Sequence, residues 1–174
     1  MFIYFFEIAR FMAAKPLKID SLDLDLGNPR IVRTTDQRDA MQKILKEQGA
    51  KLVNLAESIA ANGLNPMDRF LVGRSDKAAK SIVLEGNRRV LAIKLLKSAP
   101  LVNDLEMSDA FRKRLIVAGA TFKPANVDPL DCFEVADRAE GSLVGFQPDR
   151  LLSMGRLTRG RLQRKVRTIP GRWL

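Results

Sequence analysis

Two adjacent arginines, Arg88 and Arg89, follow Gly86 and Asn87, with Glu85 just ahead of them. A pair of guanidiniums offers planar, bidentate donors suited to a phosphate. The neighbouring residues favour that use. An apolar run (Ile82, Val83, Leu84) leads into the glycine, and a helical apolar pattern follows the arginines. The stretch 81–96 therefore predicts a buried strand, a tight turn at Gly86, and a helix whose first turn carries Asn87, Arg88 and Arg89. A helix start has unpaired N–H groups and a partial positive charge, which attract an anion. Arginine has the wrong sign for that end of the macrodipole, so two together ask for a counter-charge. The competing reading is a pair of solvated arginines that happen to open a helix.

Other chemistries are excluded by composition. The 174 residues include no histidine, which removes imidazole-based triads, general bases and most zinc sites. The single cysteine, Cys132, cannot form an internal disulfide and fits a reducing cytoplasm. The net charge of +10 is unevenly placed. The last 25 residues carry eight Lys/Arg and no Asp/Glu, leaving 22 basic against 20 acidic residues in the first 149. An argument for nucleic acid from charge is thus an argument about the tail that begins at Arg150 and has its last cation at Arg172.

The elements that must position the arginines can be read in order. The opening MFIYFFEIARFM is apolar but interrupted by Glu7 and Arg10, and too short to span a bilayer. It reads either as a packed N-terminal segment or as residues upstream of a true start at Met12, with a membrane-surface anchor as a minor alternative. Residues 17–26 alternate at Leu22, Leu24 and Leu26 and predict a strand, broken by Gly27-Asn28-Pro29-Arg30. Helices are expected over 34–48 and 51–62, with stripes Met41/Ile44/Leu45 and Leu52/Leu55/Ala56/Ile59. Gly49 and Gly63 end them. A strand at 70–72 and a polar link precede the strand at 81–84. The helix after Asn87 is expected to run out at Ser98-Ala99-Pro100. Another helix spans 108–119, capped by Ser108, and its Arg112-Lys113-Arg114 reads as a solvated face or as a nucleic-acid contact. A last strand at 130–135 buries Cys132 as a small hydrophobe.

EGNRRVLAIKLL, with LDLDLGNPR and LAESIAANGLNP upstream, resembles the N-terminal domain of the ParB/sulfiredoxin superfamily over roughly residues 19–96. ParB-type proteins carry a Gly-Glu-Arg-Arg box before a helix, and sulfiredoxins carry Gly-Cys-His-Arg there. Here the box reads Gly86-Asn87-Arg88-Arg89. The resemblance implies an α+β fold with a small mixed sheet flanked by helices, over residues 17–136. Residues 1–16 would be an extension. Residues 137–174 would be a basic tail, either disordered or the product of a shifted reading frame. It also implies a nucleotide site at Gly86, Asn87, Arg88 and Arg89, with Asn28 and Arg30 beside it. The nucleotide would be a triphosphate with magnesium.

Asn87 stands where sulfiredoxins need a cysteine, which excludes their activity. The downstream Glu-Asn-x-Gln-Arg segment of ParB proteins has no match between residues 97 and 119, although Asn103, Asp104 and Glu106 offer oxygen ligands. The resulting expectation is a cytoplasmic, bacterial DNA-associated protein that binds a nucleotide, with Glu85 or Asn87 orienting a magnesium-bound water if hydrolysis occurs. It would not sit in a membrane; DNA would meet the basic tail, and a homodimer is compatible with the family. A ParB-like metal-dependent nuclease and a non-catalytic protein- or polyanion-binding module are the alternatives.

Overall fold

The structure, a computed structural model, describes residues 14–28, 34–75 and 79–135. The opening apolar segment up to residue 13, Arg30 and the basic tail lie outside the described residues. Among the described residues there are five strands: β1 (Lys15–Leu17), β2 (Leu22–Leu24), β3 (Phe70–Arg74), β4 (Ser81–Glu85) and β5 (Leu130–Val135). Five α-helices accompany them: α1 (Gln37–Gln48), α2 (Ala50–Asn62), α3 (Asn87–Lys97), α4 (Ala99–Asp104) and α5 (Asp109–Thr121). The fold is α+β, as expected. Its sheet is mixed, in the order β1-β5-β3-β4-β2. β1/β5 and β3/β4 run antiparallel, and β2/β4 and β3/β5 run parallel.

The single strand expected over 17–26 is two short ones at opposite edges of that sheet. Leu17 ends β1 and Leu22 opens β2, with the 3-10 turn Ile19–Ser21 between them. Five extended residues reach about 17 Å at most, whereas four inter-strand spacings of a flat sheet cover about 19 Å. The sheet must therefore curl until its edges approach. The alternation of leucines held where it counted, since Leu22 and Leu24 are both buried. What it could not show was the break, made by burying Ile19 and bonding its N–H to Asp128 Oδ1 at 2.9 Å.

The core lies between the sheet and the helices, and α3 runs through it. Val90, Leu91, Ala92, Ile93, Leu95 and Leu96 are all buried, so beyond its first turn this helix is apolar except at the half-buried Lys94 and Lys97. A helix of that kind belongs inside a domain. It packs on α2 and α5 and reaches β2 and β4. Gly119 of α5 allows the closest approach, because a Cβ there would stand 3.0 Å from the Leu96 carbonyl oxygen. α1 is capped by Asp36, whose side chain accepts from the Asp39 N–H at 2.8 Å. α5 is capped by Ser108 as expected, accepting from Phe111 N–H at 3.3 Å.

α3 ends at Lys97 with Ser98 as its C-cap, as expected, and a further short helix follows at once. Ser98 caps the short helix α4, and Pro100 sits in its first turn, where a missing N–H costs nothing. The basic trio on α5 disperses into structural roles. Arg112 donates to the carbonyls of Val102 (2.7 Å) and Leu105 (3.3 Å), satisfying the end of α4. Arg114 clamps Glu57 of α2, with its Nε donating at 2.8 Å. Lys113 alone is exposed.

Candidate functional site

β4 ends at Glu85, and Gly86 turns the chain into α3 with a φ of +105°. Only glycine takes that conformation at low cost. A second constraint comes from Phe70 of β3, whose ring would lie 2.7 Å from a Cβ at Gly86. The N-cap of α3 is Gly86, which has no side chain to cap the first amides, and none of the described residues caps them instead. The N-terminal end of this buried helix therefore emerges with its own amides and the two arginines.

Asn87 is buried rather than open to a ligand, at 7 % exposure. Its Oδ1 accepts from the Asp25 N–H at 3.0 Å, and its Nδ2 donates to the Val83 carbonyl at 2.7 Å. The amide ties the end of β2 to β4 at the point where their parallel pairing stops. It is committed to holding the chain, in place of the water-orienting role expected of it. Asp25, also buried, accepts the Gly27 N–H on Oδ1, and its carbonyl accepts the Asn28 N–H at 3.2 Å. The turn containing Asn28 is thus fastened to the first residue of α3. Gln37 secures the open side of β2, exchanging two hydrogen bonds with the Leu24 backbone at 2.7 and 2.8 Å.

The two arginines have different surroundings. Arg88 is exposed and donates to Gln48 Oε1, a neutral partner at the end of α1, at 3.1 Å. Arg89 is largely enclosed, its side chain 18 % exposed. One edge of its guanidinium meets Asp68 Oδ1 at 2.7 Å. Another donates to the Arg69 carbonyl at 3.1 Å. The Phe70 ring lies against it, 5.0 Å to the centroid. Glu85, with a side chain 60 % exposed, stands 3.9 Å away. The sequence called for a counter-charge near the pair, and Asp68 supplies one. Nothing in the pattern named it, because it comes from the loop between α2 and β3.

Of the carboxylates at this turn, Glu85 and Asp68 face Arg89, while Asp25 is buried and accepts the Gly27 N–H. Among the described residues no group of three or more Cys, Asp or Glu side chains converges as a metal site would require. Asp104 is held by Arg38 at 2.8 Å, whose guanidinium hydrogen bond keeps that carboxyl below its ordinary range. The Glu106 backbone is paired with the Gln42 side chain. These oxygens serve the α1–α4 contact.

The opposite end of α3 carries a second charged cluster. Lys97 Nζ lies 3.0 Å from Asp20 and 3.0 Å from Asp128, and Asp128 also accepts the Ile19 N–H. Lys80 donates to the Asp20 carbonyl at 2.6 Å. Burial works against the Asp128 carboxylate, yet the Ile19 N–H and Lys97 outweigh it and hold its pKa below the ordinary value. Burial likewise opposes the Lys97 ammonium, and Asp128 and Asp20 raise its pKa in spite of that. Lys94 differs, for burial pushes its pKa down although Asp23 pulls it up through space. Cys132 lies in the core, where burial pushes its thiol up to about 11, so it is no nucleophile. Among the described residues no helix is long and apolar enough to cross a membrane. No family model matches the chain, and no curated protein matches it either.

Proposed function

We propose that residues 17–136 form a ParB/sulfiredoxin-like domain that binds the phosphate of a nucleotide at the turn from Gly86 to Arg89. One observation carries this reading. Among the described residues the N-terminus of α3 has no side-chain cap, and beside it stands an exposed Arg88 paired with a neutral amide. The helix amides and this guanidinium are complementary to one phosphate group. Asn28, fastened beside the turn through Asp25 and Asn87, borders the same place. Asn87 serves as the brace that sets this geometry, and Arg89 as its inner, already paired neighbour. Magnesium would come with the nucleotide's own phosphates. Exposed Glu85 is the side chain left to orient a water, so no hydrolytic step is assigned.

In this reading the protein is a bacterial DNA-associated accessory factor, with the cations from Arg150 to Arg172 meeting DNA. A thermal-shift panel of nucleoside triphosphates with magnesium tests the core of the proposal. One or more nucleotides should raise the melting temperature saturably. Arg88→Ala, with its fold intact, should bind about ten- to a hundredfold more weakly. No shift with any nucleotide refutes the reading. The nuclease alternative has less support, since its metal ions would need more convergent carboxylates than Glu85 and Asp68.

A further inference from the structure

We propose that Asp68 sets the selectivity of this turn by occupying, on Arg89, the place that a second phosphate group would take. The inference rests on the phosphate-binding reading above and adds to it which anions the turn accepts. Arg88 and Arg89 are adjacent in the first turn of α3, where the helix end itself is positive. Left alone, both guanidiniums would recruit an anion. Among the described residues Arg88 has no carboxylate partner, whereas Arg89 has a carboxylate oxygen at 2.7 Å. A carboxylate and a phosphate present the same chemistry to a guanidinium, namely anionic oxygens that accept its N–H bonds. The remaining sides of Arg89 are also committed, one to the Arg69 carbonyl and its face to the Phe70 ring. No second anion can approach Arg89 bidentately while Asp68 stays.

The turn thus offers one guanidinium and the helix amides, enough for a single phosphate group. A polyphosphate gains from its second group only by displacing Asp68. That carboxylate is on the loop between α2 and β3, half-buried at 32 % exposure, and it is anchored by Arg89 rather than by a strand. The loop's Met67 is 77 % exposed, so displacing Asp68 does not require opening the core at that residue.

The test measures binding of the four common ribonucleoside triphosphates and their monophosphates to full-length wild-type protein, Asp68→Asn and Asp68→Glu. Asp68→Asn keeps the shape and removes the competing charge. It should tighten triphosphate binding about tenfold or more, and monophosphate binding by far less. Asp68→Glu should restore the wild-type ratio between the two. A residue that merely shapes the loop would move both ligands together. If wild-type protein binds and Asp68→Asn binds triphosphate no tighter, the selectivity role is overturned and phosphate binding stands. If neither protein binds any nucleotide, the phosphate-binding reading itself has failed. A second measurement does not depend on the variant folding. In wild-type protein a triphosphate should gain over its monophosphate only if the carboxyl carbon resonance of Asp68 shifts as it leaves Arg89; a triphosphate bound about tenfold tighter than its monophosphate with that resonance unmoved also overturns the role.

Discussion

The two ends of α3 are both charged, and they handle charge in opposite ways. At the C-terminal end the cations Lys94 and Lys97 agree in sign with the helix macrodipole. Lys97 is shared between two aspartates, one of which also holds the backbone of Ile19. That cluster fastens the 3-10 turn linking the two edge strands to the helix, and so it maintains the curl of the sheet. At the N-terminal end Arg88 and Arg89 oppose the macrodipole, and their partners neutralise one of them but leave the other exposed. The difference separates an end built to close the structure from an end that carries unspent charge.

The sharpest way to break this comparison is at Gly86. Gly86→Val forces a β-branched residue to φ near +105° and drives its Cβ into the Phe70 ring. Left-handed backbone costs about 1–2 kcal/mol and overpacking about 1–3 kcal/mol more. A loss of about 3 kcal/mol in urea denaturation is expected. An unchanged midpoint would mean that the turn is not where the helix is anchored.

Asn87→Ala comes next. It leaves the Asp25 N–H and the Val83 carbonyl buried without their partner, at a cost of about 2–3 kcal/mol in stability. Because the same amide positions the turn containing Asn28, nucleotide binding should fall even at temperatures where the variant is folded. If stability drops but affinity holds, Asn28 is no part of the site.

At the other end, Asp128→Asn should cost about 1–2 kcal/mol at neutral pH, by weakening the bonds from Lys97 and Ile19. Its pH dependence identifies the cause. The folded pKa of Asp128 is depressed below 3.8, so its contribution is present above that value and is lost as pH falls through the folded pKa. Lys97 is raised above 10.5, so its contribution is present below that value and is lost as pH rises through the folded pKa. Urea midpoints followed across pH should show both losses in the wild type and a blunted acid limb in Asp128→Asn. An unblunted acid limb would assign acid sensitivity to other carboxylates.

How much of this contrast the sequence displays depends on how local each contact is. The strand–glycine–helix pattern around Gly86 is legible because its apolar run and its helical stripe are contiguous. The helices with stripes at Met41/Ile44/Leu45 and Leu52/Ala56/Ile59 are legible for the same reason. The break at Ile19 is not, since it is enforced by Asp128, 109 residues away. Asp68 and Arg89 are 21 positions apart, and only the sign of the helix end hints that such a partner exists. The end of α3 before Ser98-Ala99-Pro100 was legible, but the short helix α4 was not, because proline disfavours helix interiors yet is well tolerated in a first turn. Asn87 was expected to be a ligand because it stands in the box that resembles the ParB/sulfiredoxin turn. Its burial follows from a position just inside a packed helix, where only β2 and β4 remain to satisfy its amide.

The smallest effect isolates what burial alone does to a cation beside α3. Lys94 is half-buried, one turn before Lys97, and feels Asp23 and Asp20 through space against the repulsion of Lys80 and Lys97. Desolvation dominates, and its pKa lies below 10.5. A lysine depressed in this way costs stability while it is charged, and the cost fades as pH rises through its folded pKa. Lys94→Met keeps the aliphatic stem and removes the charge, so it should stabilise the protein at neutral pH by about 0.5–1 kcal/mol. That gain should shrink as pH rises through the depressed folded pKa of Lys94 toward 10.5, before Lys97 loses its own contribution above that value. If Lys94→Met destabilises instead, the through-space attraction of Asp23 and Asp20 outweighs desolvation, and every lysine at this end of the helix belongs to the closure.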